Sequence, residues 1–225
     1  MNIIKAILFD HDGTLVDSER AHFDMWRIVL NDYGKILTFD EYSQRYSGIP
    51  TKSNAVCIIS DFSLSVSPDE LVRKKNMLTE GYLDKQAFPM MPSASESILT
   101  FYQLGLKVAI VTGAGRSGVE ATVRENDLEK YISAIVSGDD VEHSKPSPDC
   151  YLLAVQQLGL NVDDCVAIED TENGIASAVS ANIKCIAVVP LSTKMQCFNK
   201  ANVVCCNLQE VTQFVSEKYQ LNVGV

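Results

Sequence analysis

The sequence predicts an α/β protein, a doubly wound parallel-sheet core with an all-helical domain inserted after its first strand. Three observations carry that expectation. Short, almost uniformly apolar runs at 108–111, 134–136, 166–168 and 185–189 alternate with amphipathic segments at 93–104, 116–126, 147–158 and 172–181. Strands apolar on both faces belong in a parallel sheet covered by helices on each side. A further apolar run at 3–9 ends in the turn "DHDG", and residues 17–87 between it and the other strands read as helix.

Taken in order, "IIKAILF" is the first strand; Lys5 interrupts it. It is too short to span a bilayer or to act as a secretory core, and no small-residue cleavage pattern follows. "DSERAHFDMWRIVLNDYG" then offers Asp17 or Ser18 as N-cap, the apolar series Phe23, Trp26, Val29, Leu30 and Tyr33, and Gly34 as a stop. Ser67-Pro68-Asp69-Glu70 opens another helix, and helical pattern runs to about residue 86. Pro89 and Pro92 in "FPMMPSA" mark a linker back to the sheet. The expected domains are therefore a core of residues 1–16 and 88–225 and an insertion of residues 17–87.

With 225 residues, 46% of them hydrophobic, the chain supports one sizeable core and a small appended domain. Seven cysteines without CxxC spacing, with Cys165, Cys185 and Cys205 in strand-like apolar surroundings, read as buried thiols of a cytoplasmic protein. A net charge of -10 and a pI of about 4.7 repel a polyphosphate backbone, so nucleic acid is not an expected partner. Neither a membrane nor an obligate protein partner is signalled. The same charge repels a small anionic substrate unless a metal, a Lys or Arg, or a helix N-terminus compensates locally.

Right-handed crossovers put the carboxyl ends of parallel strands along one edge, where ligands of open α/β sheets bind. The residues expected there are Asp10, Thr112 and Glu169-Asp170, with Lys145 in the loop before a helix opening at Ser147-Pro148. Asp10, Asp170 and a backbone carbonyl near Asp12 are the hard oxygens Mg2+ prefers. Such a cation explains why an apolar strand delivers two aspartates into a glycine turn. Thr112, the amides from Gly113 onward at a helix N-terminus, and Lys145 are then placed for phosphate oxygens. Glu169, adjacent to Asp170, points differently, so its binding to metal, directly or through water, is open. "GAGRSG" (113–118), with Asp139 or Asp140 further on, also fits a dinucleotide fingerprint. That reading leaves Asp10, Asp12, Asp170 and Lys145 without a role.

"DHDGTLVDSE", "VAIVTGAGR", "SKPSPD" and "AIEDTENG" resemble, in order, the four motifs of the haloacid dehalogenase superfamily, with its Rossmann-like core and α-helical cap. Within it the chain is similar to the β-phosphoglucomutase and sugar-phosphate phosphatase branch. The resemblance implies that Asp10 attacks phosphorus to form an aspartyl-phosphate and that Asp12 acts as general acid and then base, with Thr112 and Lys145 completing the catalytic set. It also implies Mg2+ held by Asp10, Asp12, Asp170 and Glu169, and substrate contacts from Gly113, Arg116, the cap-hinge His22, and Lys75. Gly48, Ile49, Thr51 and Lys52 are the candidates for a cap specificity loop, and Asp17 is read as a helix cap. The arginine that mutases carry in that loop is absent, Thr51 standing in its place. The expected activity is Mg2+-dependent hydrolysis of a small phosphorylated metabolite, a sugar phosphate in the first instance. The alternatives are a phosphomutase and a non-catalytic metal- or phosphate-binding protein.

Overall fold

A computed structural model of the chain describes residues 3–189 and 197–221. The apolar run at 3–9 is two strands, β1 (Ile3–Ile4) and β2 (Ala6–Phe9). They part at Lys5, whose N–H donates to the Asp164 carbonyl. Four helices follow, α1 (Glu19–Asn31), α2 (Phe39–Arg45), α3 (Thr51–Phe62) and α4 (Pro68–Leu83). Then α5 (Ala94–Gln103), β3 (Lys107–Val111), α6 (Arg116–Glu125), β4 (Ala134–Val136), α7 (Asp149–Leu158), β5 (Cys165–Glu169), α8 (Glu172–Ser180) and β6 (Lys184–Val188) alternate as expected. β7 (Val203–Cys205), α9 (Leu208–Lys218) and β8 (Gln220–Leu221) complete the described chain. Of these last three, the sequence signalled only the strand-like surroundings of Cys205 in β7.

Six strands form one parallel sheet in the order β4-β3-β2-β5-β6-β7, and β1 pairs with β8 apart from it. Side chains alternate across the sheet by size. Ile7, Phe9, Val108, Ile110, Val166, Ile168, Ile186 and Val188 share a core with residues of α5, α6 and α9. Ala6, Ala109, Cys165, Ala167, Cys185 and Ala187, with Leu8 and Val111, meet α7 and α8. The seven cysteines are free thiols.

Helix starts follow side-chain chemistry. Thr38 and Glu41 form a reciprocal capping box at α2, and Ser67 accepts from Glu70 N with Pro68 in the first turn of α4. α1 corrects the expectation of an Asp17 or Ser18 cap. Ser18 occupies the N-cap position with φ -88 and ψ -13, and no side-chain cap bond forms. That helical backbone replaces the extended one from which a cap side chain reaches forward. The Asp17 N–H instead donates to Pro89 O (2.8 Å), while Met91 N–H donates to Leu15 O (2.8 Å), so the two passes of chain flanking α1–α4 are bonded to each other. The four helices enclose their own apolar cluster, Trp26, Leu30, Tyr42, Tyr46, Ile58 and Leu71 among it. No helix of the described residues is long and apolar enough to cross a membrane.

Candidate active site

β2, β3 and β5 lie side by side, so the residues that end them meet at one edge. The Asp10 N–H continues the ladder by donating to Ile168 O (2.9 Å), and the Thr112 N–H does the same to Val136 O (2.9 Å). Lys145, from the loop before α7, donates to Asp10 Oδ1 (2.6 Å), Glu169 Oε1 (2.6 Å) and Val111 O (2.7 Å). All three of its ammonium protons have acceptors, which fixes the side chain. Tyr151, in the first turn of α7, donates to the same Glu169 oxygen (2.8 Å).

Acids outnumber cations here. One oxygen from each of Asp10, Glu169 and Asp170 lies within 4.8 Å of the others, and all three residues are buried. Burial, and then the charge of Glu169, pushes Asp10 up to about 7, against the pull of Lys145. Asp170 is pushed well above the usual carboxylate range by burial and by Asp10 and Glu169. Glu169 Oε2 is buried without a hydrogen-bond partner among the described residues. The donor set is all oxygen and its charge is under-compensated, which fits a hard divalent cation such as Mg2+. Two glycines make room for these acids. Gly13 has φ +86, and a Cβ there would meet the Asp170 carboxylate; a Cβ on Gly174 would overlap that of Glu169.

Asp12 stands beside this group. Its Oδ2 accepts from Thr112 Oγ1 (3.4 Å) and lies 3.2 Å from His11 Nδ1. Burial pushes Asp12 up, but the His11 imidazole beside it wins and holds the carboxyl well below its ordinary value. His22 Nε2 is 3.9 Å from Asp12 Oδ1. Behind it, buried Lys75 donates to His22 Nδ1 (2.9 Å) and Thr79 Oγ1 (3.0 Å). Burial, and then Lys75, pushes His22 down to about 3, so its imidazole is neutral at pH 7 and carries its proton on Nε2, facing Asp12.

The structure thus brings together Asp10, Asp12, Thr112, Lys145, Glu169 and Asp170, with His22 at the margin and Lys75 one residue behind it. It does not bring Arg116 into the cluster. That guanidinium donates to Ile135 O (3.0 Å) and Asp140 Oδ2 (2.8 Å), which tie it to the strand beyond β3. Some of the helix amides expected to serve phosphate are also engaged. The Ala114 N–H donates to Thr112 Oγ1, and the Arg116 N–H to Asp139 Oδ2, an acid already seated at the start of α6. Asp139 and Asp140, the acids of the dinucleotide reading, are consumed in these bonds. Gly113 follows Thr112, and its carbonyl accepts from Ser144 Oγ. Gly48, with φ +68, donates its N–H to Glu19 Oε1 (3.1 Å), and Thr51 and the exposed Lys52 open α3. His11, Thr122, Tyr151 and Glu19 were missed from the sequence. His11 was readable, because an imidazole between two functional aspartates is not a neutral spacer; the others are placed by packing.

The family model for haloacid dehalogenase-like hydrolases matches residues 7–188. Fructose-1-phosphate phosphatase YqaB of Escherichia coli is 32% identical over 184 residues, covering 81% of this chain and 95% of that protein. Phosphorylated carbohydrates phosphatase of Thermotoga maritima is 30% identical over 80% of this chain and 83% of its own length. The crystal structure of CbbY from Rhodobacter sphaeroides in complex with phosphate superposes with a TM-score of 0.80 at 25% identity, covering 93% of this chain and 96% of that one.

Proposed function

The chain belongs to the haloacid dehalogenase-like hydrolase family, and from that premise we propose that it is a Mg2+-dependent phosphatase of a small phosphomonoester, a sugar phosphate in the first instance. The observation that carries this reading is the convergence of Asp10, Asp170, Glu169 and Lys145 around one buried point beside Asp12. The names of the E. coli and T. maritima relatives support the substrate class.

In this mechanism Lys145 orients Asp10, and an Asp10 oxygen forms a bond to phosphorus as the bond to the leaving oxygen breaks. Asp12, ionised in the free site, takes up a proton as the phosphate ester binds and gives it to that oxygen. Asp12 then takes a proton from water, whose oxygen displaces Asp10 from phosphorus and restores the free carboxylate. Asp10, Asp170 and the Asp12 carbonyl are the residues that would hold Mg2+, with Glu169 beside them. The bound ion supplies charge neutralisation for the phosphoryl oxygens. Phosphomonoester hydrolysis needs acceleration of up to ~10^21, so positioning and electrostatics share a heavy load. We assign residues 17–87 as a cap that excludes water and selects the organic group, with Gly48, Ile49 and, at the start of α3, Thr51 and Lys52 as its specificity segment. Its separate apolar cluster and its bonded pair of linkers support that role.

The test is phosphate release from a panel of sugar phosphates with Mg2+. Activity is expected in the wild type and is expected to disappear on metal chelation and in Asp10→Asn. Release that survives either treatment refutes the mechanism, and isomerisation of β-glucose 1-phosphate outrunning release replaces it with a mutase.

A further inference from the structure

His11 is 1% exposed, and burying an imidazole beside two acids is costly unless both ring nitrogens are matched. They are. Nε2 lies 3.0 Å from Thr122 Oγ1, and the fully buried Thr122 hydroxyl donates its one proton to Gly118 O (3.1 Å) within α6. Thr122 therefore accepts from His11, and Nε2 carries a hydrogen. The other nitrogen, Nδ1, faces Asp12 Oδ2, the oxygen that Thr112 also contacts, and since a carboxylate only accepts, Nδ1 bonds it by donating a second ring hydrogen. Asp12 Oδ1 lies 3.9 Å from His22 Nε2, too long for a hydrogen bond, and the Ser18 hydroxyl also lies beside this carboxylate. His11 and Thr112 thus meet the same oxygen of the acid, Oδ2.

We propose that His11, anchored by Thr122, is a positioning residue that turns Asp12 so that Oδ1 faces the leaving-group oxygen. The anchor lies on α6, the helix that follows Thr112 and Gly113, so the acid is referenced to the same element as the end of β3. The proposal rests on the phosphatase reading and on Asp12 as its general acid. A hydrophobic residue at position 11 would complete the strand-to-turn backbone but would leave the Asp12 carboxylate without its contact to the α6-anchored imidazole, held by Thr112 and Ser18 alone.

The test compares kcat/KM, which reports the first phosphoryl transfer, on two probes. Fructose 1-phosphate loses an alkoxide that needs a proton; p-nitrophenyl phosphate loses a stabilised anion that does not. His11→Leu and Thr122→Val are expected to lose on the order of 10- to 100-fold on fructose 1-phosphate and several-fold less on p-nitrophenyl phosphate. His11→Asn keeps a side-chain amide at the Nδ1 position and should recover most of the loss. His11→Gln, whose amide reaches towards Thr122 and leaves Asp12, should not. Equal losses on both probes, or Gln rescuing as well as Asn, overturn the proposal while the wild-type activity keeps the phosphatase reading standing. A wild type inactive across the whole sugar-phosphate panel removes that reading and the proposal with it.

Discussion

Lys75 is a cation buried at a cost that stability measurements can read. It is 3% exposed, bonded to His22 and Thr79, and faced by the charges of Asp12 and Glu19. Burial nevertheless outweighs those acids and pushes it from 10.5 down to about 8. At 1.36 kcal/mol per tenfold change, holding the charged form in the folded state costs about 3 kcal/mol. Replacing Lys75 with methionine removes that cost and forfeits two hydrogen bonds worth about 1 kcal/mol each. Lys75→Met is therefore expected to be more stable than the wild type by about 1 kcal/mol at pH 7, even as it releases the His22 ring from its donor. The pH dependence is the sharper test. Below about pH 8 the lysine is protonated in both states and the wild type carries the full cost. Between about 8 and 10.5 only the unfolded chain holds the proton, so wild-type stability rises with pH relative to the variant. Urea unfolding of both proteins across that window should show the variant's advantage disappear and then reverse, a swing of about 3 kcal/mol. A difference that stays constant, or grows with pH, refutes the argument.

Three further outcomes follow from the site. Gly174→Ala, which in an open helix would stabilise by roughly 0.5–1 kcal/mol, should instead destabilise by about 1–3 kcal/mol because its Cβ overlaps the Glu169 carboxylate; a stabilised variant in chemical denaturation would contradict that contact. Tyr151→Phe removes one donor from Glu169 while Lys145 remains, so a loss of about 1–2 kcal/mol in unfolding free energy is expected, and no loss would mean the hydroxyl is not bonded there. Mg2+ at about 100 times its Kd should raise the thermal midpoint by roughly 5–10 °C through binding the folded state alone. The shift should vanish in Asp170→Asn, and a shift that persists there places the ion elsewhere.

The sheet and the catalytic edge were legible because they are written in local signals. Apolar runs of three to five residues set the strands, and the residue after each run is by geometry at the edge, which is how Asp10, Thr112 and Glu169-Asp170 were found. α9 carried no assignment, and β7, a three-residue edge strand with Val204 exposed, was marked only by the strand-like surroundings of Cys205. Arg116 went astray for a different reason. Its place in the "GAGR" turn suggested phosphate, but a long side chain follows the nearest acceptors, and Asp140 and the Ile135 carbonyl lie closer to its path. Asp17 looked like a cap by residue type, yet the pairing of its backbone with Pro89 decides the chain direction there. Contacts across many residues, such as His11 with Thr122, leave no periodic trace.

One sequence feature that does leave a trace links packing to chemistry. Along β2, β3, β5 and β6 the apolar residues are not uniform but alternate large and small, Ile7 and Phe9 against Ala6, Val108 and Ile110 against Ala109, Val166 and Ile168 against Ala167. The small face lets α7 and α8 lie close to the sheet. Those are the helices whose first turns reach Glu169: Tyr151 from α7 bonds one oxygen, and Gly174 from α8 backs the other. A larger side chain at Ala109 or Ala167 would lift those helices and withdraw the groups that hold Glu169 against Lys145. The alanine pattern beneath α7 and α8 is thus part of what keeps Lys145 on Asp10, although no residue in it touches the reacting atoms.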